Sequence, residues 1–224
     1  MLQNTTLTFL KKLVKNNNKP WFDAHRNDYE QAKTDFENFV QSLLDGHSKK
    51  DADLRGLTAK KCTFRINRDV RFSKNKSPYK NNFGASMDRG GKKSGFAGYY
   101  FHLQPGKSFA GGGLWMPSSE NTKKVRQEID YCFAEFKKIV TAKKFTSLYG
   151  DLYTGENSQL VKLPQGFEKN NPAAHYLKFK SWLAIMEIPD DVIISPDLIK
   201  ITLRAFETLQ PFNHFINRAI EDVE

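Results

Sequence analysis

No apolar run in this 224-residue chain approaches the ~20 residues that a membrane-spanning helix requires, and the N-terminus lacks a continuous apolar signal core. The expectation is a soluble, cytoplasmic protein with no membrane partner. Cysteine is scarce. Cys62 and Cys132 are the two present, neither in a C-x-x-C pair, and they read as buried thiols rather than a disulfide or metal pair. The five histidines, at 25, 47, 102, 175 and 214, are scattered. Metal sites need clustered His, Cys or carboxylates, which speaks against a two-metal nuclease; neither metal nor cofactor is expected. Nucleotide loops are missing as well: Gly111-Gly-Gly113 fits neither G-x-x-x-x-G-K-S/T nor G-x-G-x-x-G before a helix, and there is no G-x-S-x-G elbow. No internal repeat, low-complexity linker or abrupt change of composition divides the chain. One domain over 1–224 is the simplest reading, and nothing in it sets an oligomeric state.

What the chain has is positive charge in one place. Lysine and arginine number 35 against 25 acids, a net charge of +10. Between Lys60 and Lys93 eleven cations face only Asp69 and Asp88, so this segment alone carries +9. A focused field of that sign favours an anionic partner, small molecule or polymer. Within it, Arg65, Arg68, Arg71, Lys74, Lys76 and Lys80 recur at short intervals with Ile66, Val70 and Phe72 between them. The guanidinium fork suits carboxylates and phosphates, and buried Val70 and Phe72 would anchor the row. Ser77-Pro78-Tyr79 would stiffen the turn that carries Lys80. Asp69 is expected to pair with Arg68 or Arg71 and hold the guanidinium in place.

Periodicity supplies the frame. Thr5 or Thr6 is expected to cap a first helix, and a second runs from Pro20 along Phe22, Tyr29, Phe36 and Leu43 to Gly46. Residues 47–60 read as a polar loop. Strict alternation predicts strands over Lys61–Asn67, Asn82–Asp88 and Gly98–Gln104, with Phe109–Met116 and Leu183–Ile188 to follow. A long amphipathic helix over 119–140 is expected to lie across the sheet. Cys62, Phe64, Ile66, Phe83, Phe101, Phe133 and Phe136 would then be buried together. Ser195-Pro196-Asp197 starts one late helix and Pro211 another. The fold class is α+β, a mainly antiparallel sheet packed on one face by helices.

On that pattern the opposite face carries Thr63, Arg65, Asn67, Ser86, Tyr100, His102 and Gln104, with the 68–80 loop over its edge. The ligand-binding candidates are Arg65, Asn67, Arg68, Arg71, Tyr79, Lys80 and Trp115. The expected partner is a small phosphorylated or carboxylated molecule. Metal-free acid–base catalysis is a further expectation, with His102 moving a proton and Tyr100 orienting an oxyanion held by Arg65 and Arg71. A second function class is nucleic-acid binding, with Lys74, Lys76, Lys80, Arg89, Lys92 and Lys93 on phosphates and Phe72, Tyr79 or Trp115 stacking on bases. A third is an interaction module for an acidic protein.

Arg65-Ile-Asn-Arg-Asp-Val-Arg-Phe-Ser-Lys-Asn-Lys-Ser-Pro-Tyr-Lys80 resembles the signature of an uncharacterised bacterial and fungal family catalogued as a domain of unknown function. Asn17-Asn18 with Trp21-Phe22, Gly98-Tyr-Tyr-Phe-His102, Gly111-Gly-Gly-Leu-Trp115 and Leu163-Pro-Gln-Gly-Phe167 fit the same resemblance, in order, over roughly residues 5–218. The resemblance implies a single domain and draws attention to the same segment. It implies no activity and no catalytic residue.

Overall fold

The computed structural model describes residues 1–221 and contains four strands in one antiparallel sheet, in spatial order β1-β2-β3-β4. These are β1 (Phe83–Met87), β2 (Gly98–Leu103), β3 (Ser108–Leu114) and β4 (Trp182–Ile188). In the register Ala85↔Phe101↔Ala110↔Met186, one face collects Phe83, Met87, Tyr99, Phe101, Leu103, Leu114, Trp182 and Ala184, all buried. The period-2 alternation of the sequence thus produces the one-sided sheet it predicts, in an α+β fold. The three glycines of β3 are a packing requirement. A Cβ on Gly111 or Gly113 would fall 2.1 Å from a β4 carbonyl oxygen, and Gly113 has φ +117°.

Before the sheet come α1 (Asn4–Lys15), α2 (Lys19–Ala24), α3 (Arg26–His47), a 3-10 turn at Ala52–Leu54 and the short α4 (Ala59–Cys62). After β3 come α5 (Ser119–Tyr131), α6 (Phe133–Val140), α7 (Lys143–Tyr149) and α8 (Ala174–Leu177). Beyond β4 lie α9 (Asp190–Ile193) and the 23-residue α10 (Leu198–Ile220).

The layer over the apolar face differs from the expected one. It is made by α3 and α10, with Phe36 on Phe83, Phe39 on Phe101 and Phe206 on Tyr99 at ring distances of 4.7–5.4 Å. The 119–140 stretch breaks at Cys132 into α5 and α6. It packs behind α10, with Phe136 against Phe212 and Phe215. Pro211 lies inside α10 rather than at a helix start. Leu209, Phe212 and Ile216, fully buried, continue one apolar stripe through it. Each such side chain gains about 1.5–3 kcal/mol on burial, which outweighs the ~3 kcal/mol cost of an interior proline.

Further corrections are local. α1 starts at Asn4, and the hydroxyl of buried Thr6 donates to Asp35 Oδ2 (2.6 Å) instead of capping. The second helix is two, α2 capped by the Asn18 side chain on Trp21 N and α3 running past Gly46. Gly46 serves close packing, since a Cβ there would meet Leu203 Cδ1 at 2.9 Å. The 47–60 stretch buries His47, Asp51, Leu54 and Leu57.

Lys61–Asn67 is no regular strand. Cys62 ends the turn of α4, and the segment then makes isolated bridges, Thr63↔Ala85 and Asn67↔Tyr79. The helical turn shifts the phase of the alternation. Cys62, Thr63 and Ile66 are buried, while Phe64 comes out half-buried beside Tyr100 on the polar side, opposite Phe101. Both cysteines are free thiols, Cys62 buried and Cys132 half-buried.

Candidate anion-binding cleft

The basic motif folds into a pinned loop. Arg68 N–H donates to Pro78 O (2.9 Å) and Lys80 N–H to Ile66 O (2.8 Å), which brings its two arms side by side. The Arg68 guanidinium reaches across inside the loop, donating to Ser77 O (3.0 Å) and Ser73 Oγ (3.3 Å). Asn17 clamps the far arm, its amide donating to Tyr79 O (3.0 Å) and accepting from Tyr79 N (3.1 Å). The Tyr79 ring then stacks on Phe22, centroids 3.9 Å apart and 14° from parallel. The Asn17–Phe22 stretch and the Arg65–Lys80 motif, distant in sequence, form one unit.

Between them lies a cleft of about 430 Å³, whose walls include Asn17, Arg68, Ser77, Tyr79, Lys80 and Asn82. Lys80 Nζ stands 5.4 Å from the centroid of the Phe64 ring, with Lys92 Nζ at 5.9 Å from the same ring. Lys92 is occupied, donating to Thr63 O at 2.5 Å. The Lys80 ammonium has no hydrogen bond or ion pair among the described residues. Burial, and then the charge of Arg65, hold it below the usual lysine range. Arg65 is exposed and has neither ion pair nor hydrogen bond among the described residues. Arg68 spends its donors on a carbonyl and a hydroxyl, so its charge also lacks a carboxylate.

Other predicted residues lie elsewhere. Asp69 accepts Arg71 through both oxygens, from Nε at 3.0 Å and Nη2 at 2.7 Å, out in solvent. That removes Arg71 from the cleft. Hydrogen bonding to Arg71 holds the Asp69 carboxyl low, and the same contact raises Arg71. Val70 is half-buried and Phe72 is 96% exposed, so the motif is anchored by Ile66 and Tyr79 rather than by Val70 and Phe72. Asn67 is exposed, its backbone bridging Tyr79. Trp115 is 65% exposed at the end of β3 and does not line the cleft. Tyr79 is buried, which leaves no open ring face for a base.

Tyr100, His102 and Gln104 do form a row on the polar sheet face, closed on itself. His102 Nε2–H donates to Gln104 Oε1 (3.0 Å), leaving Nδ1 to accept from Tyr100 OH (3.3 Å). Its ring stacks on Phe109 at 4.8 Å. Burial lowers the His102 pKa and pushes the Tyr100 hydroxyl up to about 12. A neutral imidazole with both nitrogens engaged is a poor proton shuttle. Phe64 separates the row from the cleft, its ring 6.4 Å from Tyr100 on one side and near Lys80 on the other. Gly84 is glycine because a Cβ there would lie 2.4 Å from the Tyr100 hydroxyl.

Two further features compete with the cleft. Asp51, Asp53 and His214 offer ligand atoms within 4.8 Å of one another. Asp51, however, already accepts Tyr99 OH (2.5 Å), Asp53 N–H (3.1 Å) and His214 Nε2 (3.4 Å), and Asp53 is gripped by Arg89 through both oxygens. These groups form a satisfied network rather than an open ligand set. A larger, more apolar groove of about 740 Å³ runs past Phe145 and His214, but its acids Glu135 and Glu207 are paired with Arg218 and Lys50. Sequence reasoning missed Asn17 and Asn82 as cleft walls. Asn17 entered the sequence reading only through the family resemblance, and nothing local indicated that its amide clamps Tyr79, 62 residues away.

A family model of conserved hypothetical proteins, DUF2461, matches residues 5–215, and the chain belongs to that family. No curated protein and no solved structure matches it.

Proposed function

We propose that this member of the DUF2461 family binds a small phosphorylated or carboxylated anion in the cleft, with Arg65, Arg68 and Lys80 as the cationic contacts. One observation carries the reading: Arg68 and Lys80 line the cleft, the charge of Arg65 acts on Lys80 from outside that lining, and none of the three forms an ion pair with a carboxylate among the described residues. A half-buried ammonium beside a guanidinium is unfavourable until an anion neutralises both, so the site gains more from an anion than scattered surface lysines would. The amides of Asn17 and Asn82 supply neutral donors to orient the ligand. Catalysis through His102 and Tyr100 is not part of the proposal, because their hydrogen bonds are closed within the row.

Thermal unfolding in inorganic phosphate or sulfate tests it. At about 100 times Kd, mass action stabilises the folded state by about 2.7 kcal/mol, a rise in Tm of roughly 5–10 °C for a chain of this size. Arg65→Lys is expected to lose most of the rise although the charge stays, since a point charge makes no bidentate contact. Arg55→Lys, outside the motif, is the control. Equal responses of the two variants would make the motif a structural cluster.

A second reading is favoured by Phe72, whose ring is almost fully exposed next to the exposed Lys74 and Lys76. An aromatic ring flanked by cations suits single-stranded nucleic acid, stacking on one base while the lysines meet phosphates. About four phosphate contacts give a log–log salt slope of roughly −3 on a single strand. Absence of binding at low salt removes this reading.

A further inference from the structure

Anion binding uses Lys80 only as a charge, yet its amine sits in surroundings that other lysines of this chain lack. Lys11, Lys19 and Lys50 each lie on a carboxylate, and Lys76 and Lys92 donate to backbone carbonyls. Lys80 has only the face of Phe64 beside Nζ, and its backbone is fixed by the bond to Ile66 O. Lys80 lines a cleft whose other polar residues include Arg68, Asn17 and Asn82. No carboxylate forms an ion pair with it among the described residues, and burial, then the charge of Arg65, lower its pKa from the usual lysine range. Desolvation beside a second cation is one of the ways in which proteins turn a lysine into a nucleophile.

Resting on the anion-binding reading, we propose that Lys80 condenses with the carbonyl carbon of a small anionic aldehyde or 2-oxo acid, whose carboxylate or phosphate Arg65 and Arg68 receive. The Nζ lone pair forms the new N–C bond while the carbonyl π pair moves to oxygen, which takes a proton. The nitrogen releases one proton to give the carbinolamine; its hydroxyl takes a proton from solvent and leaves as water while the nitrogen lone pair forms C=N, and the nitrogen returns its remaining proton to solvent. One amine and one carbonyl become one imine and one water, with no oxidant or reductant consumed. The cationic walls keep the ligand's anionic end close to the reacting carbon. This raises the effective concentration of the carbonyl at Nζ.

Borohydride reduction converts the imine to a stable secondary amine, so peptide mapping by mass spectrometry locates it. The full-length protein is treated with glyoxylate, an anionic aldehyde, and separately with neutral acetaldehyde, each near neutral pH with borohydride. The expected result is labelling of Lys80 at least about tenfold faster than exposed Lys107, with a larger preference for glyoxylate than for acetaldehyde. Lys80→Arg, which keeps the charge but has no amine able to condense, should lose the adduct. Selective labelling of Lys80 to the same extent by both aldehydes would keep the nucleophile and overturn the anion contacts. Labelling spread evenly over the lysines, with the phosphate response intact, would overturn the nucleophile and leave anion binding standing.

Discussion

Arg89 and Arg218 are treated very differently from Arg65 and Lys80. Arg89 is held by Asp53 at 2.9 and 3.0 Å and by Glu221 at 2.5 Å. Arg218 is held by Glu128 at 2.6 Å and Glu135 at 3.0 Å. Each guanidinium also lies 4.8 Å from an aromatic ring, Phe96 or Phe215. Lys80 has the same kind of aromatic support at 5.4 Å from Phe64, but no acid. Where cations tie α10 to the rest of the fold, the chain supplies two carboxylates apiece. Among the described residues, none of those lining the cleft is acidic. The contrast separates cations that hold the structure together from cations that have no ion pair among the described residues.

The largest expected effect lies on the paired side. Asp51 is 2% exposed and accepts from Tyr99, from the Asp53 amide and from His214. Burial pushes its carboxyl up, but those hydrogen bonds outweigh it and hold the group below its usual value. Asp51→Ala would strand the buried Tyr99 hydroxyl and the Asp53 amide together, at a cost of about 3–5 kcal/mol in a urea titration. A loss within surface scatter would erase the contrast between the two regions.

Asp88 sharpens it from the opposite sign. It lies inside the basic segment, yet among the described residues its carboxyl is hydrogen-bonded only by Ser86 Oγ, at 2.9 and 3.0 Å, and burial pushes it up to about 7. The folded protein keeps a proton that the unfolded chain gives up near pH 3.8. Stability should therefore fall as pH rises from about 4 to about 7, by on the order of 3 kcal/mol. Asp88→Asn should remove that component from the pH profile of the denaturation midpoint. An unchanged profile would mean that nearby cations do reach Asp88.

The smallest effects belong to the loop. Arg65→Lys should change stability in phosphate-free buffer by less than about 0.5 kcal/mol, as at an ordinary surface site, while abolishing most of the phosphate response. Asp69→Asn frees Arg71 in solvent and should leave both melting temperature and phosphate response at wild-type values, read by the same thermal scan. A loss of the response in Asp69→Asn would bring Arg71 back into the site.

The sequence by itself determined what depends on neighbours along the chain. Alternation in Phe83–Met87 and Gly98–Leu103 placed Phe101 inside and His102 outside, because successive strand residues point to opposite faces whatever lies beyond them. The motif from Arg65 to Lys80 was legible as a turn-bearing cationic unit for the same local reason. Tertiary structure decided the rest. One helical turn at Ala59–Cys62 moved Phe64 to the polar face, and with it the wall between His102 and Lys80. A charge count over residues 60–93 treats Arg89 like Arg65, but Arg89 is neutralised by Asp53 and by Glu221, 132 residues away. Electrostatic pairing and the blocking of His102 by Gln104 depend on distances of about 3 Å, which only the folded chain sets.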